Sequence, residues 1–133
     1  MRLKDRGLML KTPVLNALRR ATNSLILIDP STITLIPHKR VAQGGGVWKV
    51  VPQTPREPQT FLVEPTANAV VNSEGSQAHS WTYRLTGRWN AEIEIDDQWQ
   101  NGETTYRVTS LEPENGYEKV AVVTALGKDP AYG

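Results

Sequence analysis

Apolar residues recur at steps of three and four near the start of the chain, which is the spacing of one face of an α-helix. The pattern predicts a helix from Thr12 to Ile28, with Thr12 capping the first turn and Pro13 at the first helical position. Asp29 precedes Pro30 and is pushed out of the α region, so the helix ends there. Its last four residues, LILI, are also compatible with a strand. The predicted apolar stripe consists of Val14, Leu15, Leu18, Ala21, Leu25 and Ile28.

After residue 30 the pattern changes to short β-branched or alternating stretches, separated by prolines and glycines. In SWTYRLTG, the residues Trp81, Tyr83 and Leu85 alternate with polar ones, which is the period of a strand with one buried face. Two Asn-Gly pairs, at 101–102 and 115–116, are strong hairpin signals. Residues 66–78 are polar and small, and are interpreted as a loop or the ragged end of a strand. Strands are predicted over residues 32–37, 47–51, 59–64, 80–87, 91–95, 104–111 and 117–126.

This order of elements predicts a mainly β protein, a small antiparallel β-barrel or sandwich with one N-terminal helix. No second helix is long enough for a βαβ crossover. The 133 residues suit a single domain with a modest core. We divide it into an N-terminal arm and helix (1–29), a β-barrel (30–127) and a C-terminal tail (128–133).

Several classes of protein do not fit the composition. No apolar run approaches the roughly 18 residues that a membrane span needs. The basic N-terminus is not followed by the apolar region of a signal peptide, so we expect no secretory route. The chain has no cysteine, which excludes disulfides, thiolate metal sites and a cysteine nucleophile.

The net charge of +1 conceals an asymmetry along the chain. Residues 1–40 contain eight Lys or Arg and two acidic residues, about +6, whereas residues 41–133 contain seven basic and twelve acidic residues, about −5. These charges form either two solvated faces or a head-to-tail interface, in which the basic end of one copy meets an acidic surface of another.

The most acidic stretch, DDQWQNGETTYRV (residues 96–108), is interpreted as a hairpin rather than a site. Paired carboxylates perform acid–base chemistry when burial separates their pKa values, but alternation places Glu92 and Glu94 on the wet face of a strand. The stretch also lacks the ligand spacing of a calcium loop. His38 and His79 have no recognisable nucleophile beside them. We therefore expect no catalytic residue, no metal site and no cofactor, and a protein that is not an enzyme.

The triple glycine Gly44, Gly45 and Gly46 interrupts the β pattern just before Val47 and Trp48. It is not a phosphate-binding loop, because the GxxxxGK[ST] pattern is absent and no helix follows. It is either a flexible hairpin tip or a loop that a partner orders.

The tryptophans and tyrosines resemble the aromatic platforms that stack on single-stranded nucleic acid. Such a function needs a basic groove, and the β region is net acidic, so core or inter-subunit packing is the preferred role. An OB-like single-stranded nucleic-acid-binding module remains the alternative of a different class. The rings concerned are Trp48, Trp81, Trp89, Trp99, Tyr83, Tyr106 and Tyr117.

The order of signals over residues 15 to 127 resembles a known family. The end of the helix is followed by the segment IDPSTITLIPHKR, and the glycine loop is followed by the segment PREPQTFLVEP. Further along the chain, an acidic stretch at Asp96–Trp99 precedes the segments Tyr106–Val108 and Pro113–Ala121. This arrangement is similar to the head-to-tail connector proteins of long-tailed bacteriophages, in particular the head-completion, or stopper, proteins of actinobacteriophages.

The resemblance implies a β-barrel that assembles as a ring of about twelve copies in the virion neck. The ring would lie between the portal or adaptor protein and the tail proteins, joining head to tail and sealing the DNA channel. Genomic DNA would pass through without specific binding, no membrane would be involved, and the subunit would occupy the host cytoplasm during assembly. A tail-terminator or another neck-ring protein is the alternative within this class.

Two sets of residues are the candidates for these roles. The channel loop corresponds by position to Val41–Pro58, and its candidates are Gly44, Gly45, Gly46, Val47 and Trp48. The candidates for contacts with neighbours are the charged residues Arg19, Arg20, Lys39, Arg40, Glu92, Glu94, Asp96 and Asp97.

Overall fold

A computed structural model describes residues 11–73 and 76–126, with the side chains of 67–80 and of Leu126 outside the description. The N-terminal arm up to residue 10 and the predicted tail from 128 therefore lie outside the described residues. One helix, α1 (Thr12–Ile26), precedes eight strands, so the protein is mainly β as predicted. The strands are β1 (Pro30–Ile33), β2 (His38–Gly44), β3 (Val47–Pro52), β4 (Gln59–Ser73), β5 (Ser76–Arg88), β6 (Gln98–Asn101), β7 (Thr104–Leu111) and β8 (Glu118–Leu126).

Six of these strands form one antiparallel sheet in the order β1-β4-β5-β8-β7-β6, which curls into a nearly closed barrel. The two edges meet where the chain leaves β1, since Ile36 forms an isolated antiparallel bridge with Gln98 of β6. The bridge consists of two hydrogen bonds, from Ile36 N–H to the Gln98 carbonyl at 2.8 Å and from Gln98 N–H to the Ile36 carbonyl at 3.0 Å. We call this junction the seam. The remaining strands, β2 and β3, form a separate two-stranded sheet.

The barrel interior is filled by side chains that alternate along the strands, with aromatic rings at its centre. Trp99 stacks on Tyr106 with ring centroids 4.6 Å apart, and Tyr83 meets Tyr106 edge-on at 5.8 Å. Leu85 and Val108 are fully buried beside them. The prediction that the rings serve the core is confirmed for these three aromatic residues.

Helix α1 has nearly the predicted bounds, but its buried face only partly coincides with the predicted stripe, of which Leu15 and Leu18 are half-buried. Thr22 and Ile26 are buried, whereas Val14 and Leu25 of the predicted stripe are exposed. The helix continues through the first half of LILI and ends at Ile26, and Thr12 is its first residue rather than its cap. Within the described ranges no helix is long and apolar enough to cross a membrane.

The predicted strand over residues 91–95 is wrong, although part of its alternation survives. Ala91 and Ile93 are buried and Glu92 is exposed, but the segment joins no β-ladder and Ile95 is half exposed. The Gln59 side chain takes the place of a neighbouring strand here. Its amide nitrogen donates to the Glu92 carbonyl at 2.9 Å, and its amide oxygen accepts from Glu92 N–H at 2.8 Å.

Other strand boundaries also differ from the sequence pattern. Residues 66–73 and 76–78, interpreted as a loop or ragged end, continue β4 and β5 as a long paired arm. β2 was not predicted, because most of its residues are polar and do not alternate with apolar ones. β6 was not given bounds of its own, but its pairing with β7 forms the hairpin that was predicted over residues 96–108. Long-range pairing within the barrel and hairpin supplies what the local pattern of these segments lacks.

The barrel wall is closely packed around Gly87 on β5. A Cβ atom added to Gly87 would lie 2.7 Å from Cε1 of Phe61, 2.8 Å from its Cδ1, and 3.1 Å from Cβ of Ala91. We therefore expect Gly87→Ala to lower the free energy of unfolding by about 1–3 kcal/mol through overpacking, as measured by urea denaturation.

The control for this prediction is a double-mutant cycle with Phe61→Leu. The smaller side chain makes room for the new methyl group, so Gly87→Ala should cost less in the Phe61→Leu background than in the wild type. Equal costs in the two backgrounds would contradict the proposed clash.

Candidate functional site

The glycine-rich segment forms the tip of an ordered hairpin. Gly45 and Gly46 form the turn between β2 and β3, with φ of 59° and 80°, and Gly44 before them has φ of 92°. Positive φ at both central residues is what the tight turns that match strand twist require. The candidate channel residues therefore lie together at the end of this β2–β3 hairpin.

Large apolar side chains on the hairpin are exposed to solvent. Trp48 is 62% exposed and Val47 58%, and Val41 and Val50 are exposed as well. Trp48 and Val50 share one face of the hairpin, and Val41 and Val47 lie on the other. Single exposed apolar residues are ordinary, but several on both faces of one small hairpin are typical of interaction surfaces.

The hairpin also carries positive charge that no acidic residue in its own strands neutralises. Lys39, Arg40 and Lys49 lie between residues 38 and 52, a stretch without Asp or Glu. Arg40 is opposite Val50, and Trp48 is opposite Ala42, so Arg40 and Trp48 share one face. Lys49, opposite Val41, points to the other face. The hairpin is thus cationic and apolar at once.

The base of the hairpin is fixed to the seam by backbone hydrogen bonds. Gln53 N–H donates to the Pro37 carbonyl at 2.8 Å, and Arg56 N–H donates to the Leu35 carbonyl at 2.8 Å. Both carbonyls flank Ile36, the residue that bridges to β6. The hairpin consequently leaves the barrel at the point where the barrel closes.

A buried ion pair reinforces this junction. The Arg56 Nε atom donates to Asp97 Oδ2 at 2.8 Å, and its NH2 group donates to Asp97 Oδ1 at 3.2 Å. The Asp97 side chain is 1% exposed and that of Arg56 16%. Asp97 Oδ2 also accepts from the backbone N–H of Glu94 at 3.1 Å. Such a two-pronged Arg–carboxylate pair is strong because both partners are charged and geometrically matched.

The local backbone turns sharply to place Asp97. Asp96 has φ of 77°, a left-handed conformation that non-glycine residues rarely adopt. Its N–H donates to the Val108 carbonyl at 2.8 Å, and Val108 N–H donates to the Asp97 carbonyl at 2.9 Å. These two bonds hold the turn against β7, so the strained residue is fixed from both sides.

The hydrogen bonds that Arg56 donates to the Asp97 carboxylate are the main cause that raises the pKa of Arg56 above its ordinary value, although burial opposes it. A raised pKa in the folded state means that the contribution of the Arg56 proton to stability is fully present below the ordinary pKa of arginine and is lost only in strongly alkaline solution. Arg56 therefore remains charged across the physiological range.

Some of the charged residues proposed for contacts with neighbours are paired within the chain, and the others remain on the surface. Asp97 is buried in the ion pair, and Glu94, although exposed, meets Arg56 at 3.1 Å, so these two acids have partners within the chain. Arg19 is also engaged, because its guanidinium lies 3.9 Å from the ring centroid of Trp89. The residues that remain on the surface are Arg20, Lys39, Arg40 and Glu92, with Asp96 half-buried.

The two histidines do not meet among the described side chains. His38 lies at the hairpin base, where its Nδ1 atom is 2.8 Å from the Ile36 carbonyl, and the side chain of His79 lies outside the description. Across the described ranges, no three His, Asp or Glu side chains are grouped so as to hold a metal ion.

Sequence reasoning assigned no role to Arg56, although it links the hairpin to the barrel. Its surroundings contain one usable signal, because Arg56 lies between Pro55 and Pro58. Prolines restrict the backbone on both sides of Arg56. A long, positively charged side chain on such a rigid connection is well placed to pair with one particular acidic residue. Asp97 lies 41 positions away, and nothing in the sequence around Arg56 identifies it as the partner.

We expect Asp97→Asn to lower the free energy of unfolding by about 2–3 kcal/mol, because it leaves the partly buried Arg56 charge without its counterion. Chemical denaturation measures this change. Glu94→Gln is the matched control, and should cost under about 1 kcal/mol because the Glu94 carboxylate is solvated. Equal costs for the two variants would show that the ion pair does not stabilise the seam.

Comparisons with known proteins leave the family of this chain open. Neither a scan against protein-family models nor a search of curated proteins found a match. The function has to be argued from the residues and geometry described above.

Proposed function

We propose that this protein is a structural subunit of a bacteriophage neck, where copies form a ring between the portal or adaptor and the tail. The observation that carries the proposal is the β2–β3 hairpin, which extends from a nearly closed barrel with Trp48 and three valines exposed. In a ring of barrels, hairpins fixed at the seam would point toward one another across the central channel and close it.

Exposed apolar residues directly after α1 support assembly with neighbours. Leu27 is 55% exposed and Ile28 76%, and both follow the last turn of the helix. Contiguous apolar surface of this kind marks interaction sites in soluble proteins. Contact between adjacent subunits would bury it and add to the modest core of a small domain.

The charge of the barrel suits a DNA channel. From residue 53 to 126 the chain has eleven acidic and five basic residues, a difference of −6. Each cation–phosphate contact increases affinity for DNA, so an acidic wall lets the genome pass without holding it. In this arrangement the cations of the hairpin are the groups that approach the DNA end.

A phage with a nonsense codon in this gene, complemented in trans, tests the proposal. Without the protein we expect heads that join no tails and lose DNA, measured by electron microscopy and nuclease protection. Complementation with Trp48→Ser/Val50→Ser should restore the neck ring and tail joining but lower the fraction of full heads several-fold, because the barrel is intact and the hairpin patch is lost.

Arg107→Ala is the matched control, since Arg107 is exposed on β7 rather than on the hairpin, and it should behave as wild type. Particles that retain their genome and join tails normally without this protein would disprove the proposal.

A second candidate function, binding of single-stranded nucleic acid, is favoured by one observation. Arg40 and Trp48 share a face of the hairpin, and no acidic residue lies in either strand. A base could stack on the indole while the guanidinium contacts a phosphate.

Fluorescence anisotropy with labelled oligonucleotides at several salt concentrations distinguishes the two functions. A binding module should show a steep salt dependence and lose about tenfold in affinity on Trp48→Ala, since one stacked base contributes about 1–3 kcal/mol. Val47→Ala, on the opposite face of the hairpin, is the control. We expect no binding at moderate salt for a neck protein, and tight Trp48-dependent binding would favour the module.

A further inference from the structure

A basic cleft lies between α1 and the end of β5, away from the hairpin. It has a volume of about 230 Å³, and we call it the arginine cleft. Its lining consists of Arg19, Arg20, Asn23, Arg88 and Trp89. Three guanidinium groups thus surround one open depression.

Arg19 is held in a fixed orientation at one side of this cleft. Its Nε–H donates to the Gly116 carbonyl at 2.8 Å, and its guanidinium lies over the Trp89 ring at 3.9 Å from the centroid. The Trp89 ring covers one face of the guanidinium, and the Gly116 carbonyl accepts its Nε–H. The terminal nitrogens can still donate to other acceptors. A fixed guanidinium binds a carboxylate with less loss of side-chain entropy than a mobile one.

No described carboxylate forms an ion pair with the arginines of the cleft. Arg56 and Lys119 form ion pairs with Asp97, Glu94 and Glu114, whereas no such pair with a described residue is found for Arg19, Arg20 or Arg88. Glu118 is directly opposite Arg88 in the pairing of β5 with β8, but its side chain accepts a hydrogen bond from Asn115 at 3.3 Å. Three cations close together repel one another, so a bound anion would lower their energy.

We propose that the arginine cleft binds the carboxylates of an acidic segment of a partner protein. Guanidinium groups match carboxylates in two-pronged geometry, and the cleft has room for a few side chains rather than a large ligand. This inference concerns the surface alone and stands whether or not the protein acts in a phage neck.

The surroundings of the cleft favour a protein over a nucleic acid. Trp89 is 45% exposed and lines the cleft together with the arginines. Arginine and tryptophan are enriched in the energetic centre of protein–protein interfaces. A nucleic-acid backbone instead requires cations spread along its length, whereas these three arginines line one depression.

Binding of a labelled probe to the full chain tests the proposal. The probe is a short fluorescein-labelled peptide of glutamates and leucines, and the comparison peptide has glutamines in place of the glutamates. We expect the acidic peptide to bind, the glutamine peptide not to bind, and Arg20→Glu/Arg88→Glu to weaken binding at least about tenfold, because reversed charges repel the probe. Fluorescence anisotropy at low and moderate salt measures these affinities.

Arg107→Glu is the matched control, because Arg107 is an exposed arginine on β7, two strands from β5 in the sheet. It should retain the wild-type affinity, and circular dichroism should show that both variants are folded. Equal affinity of Arg20→Glu/Arg88→Glu and wild type would overturn the proposal. Cleft-dependent binding of a duplex oligonucleotide more tightly than the peptide would overturn it too, in favour of a nucleic-acid surface. Failure of either kind leaves the phage complementation result unaffected.

Discussion

The closure of the barrel at the seam is the constraint on which the rest of the structure depends. A curled six-stranded sheet has two edges whose backbone groups need partners, and β1 and β6 do not pair directly along their lengths. A single bridge between Ile36 and Gln98 joins them, and the ion pair of Arg56 with Asp97 lies beside it. Few polar contacts therefore join the two edges, beside the apolar core that the strands share.

The same contacts decide where the hairpin is. The chain passes from β1 through Ile36 into β2, and returns from β3 through Gln53 and Arg56, so both ends of the hairpin are attached to the seam. An isolated two-stranded hairpin is only marginally stable in water. Its attachment supplies the fixed base, while its tip is left free to meet a partner. A rigid barrel that carries an exposed cationic and apolar hairpin is the physical basis of the channel role proposed above.

The distribution of charge separates internal contacts from surfaces that await a partner. Asp97, which looked like part of an exposed acidic cluster, is buried and stabilises the fold. Arg19 is likewise engaged within the chain, against Trp89 and the turn at Gly116. Among the described residues, the cations of the hairpin and of the arginine cleft form no ion pair. Counting charges along the sequence shows that the N-terminal part is basic and the rest acidic. It does not show which charged side chains are paired within the fold and which remain on the surface.

The sequence by itself determined the class of fold, the helix and most of the strands, because apolar periodicity and Asn-Gly turns are local properties. It also located the hairpin tip, since the triple glycine requires no partner to be recognised. Only the tertiary structure decided that residues 91–95 form no strand, that α1 buries Thr22 and Ile26 rather than Val14 and Leu25, and that Arg56 meets Asp97. These features depend on groups far apart in the chain, whose contacts form only when the barrel closes.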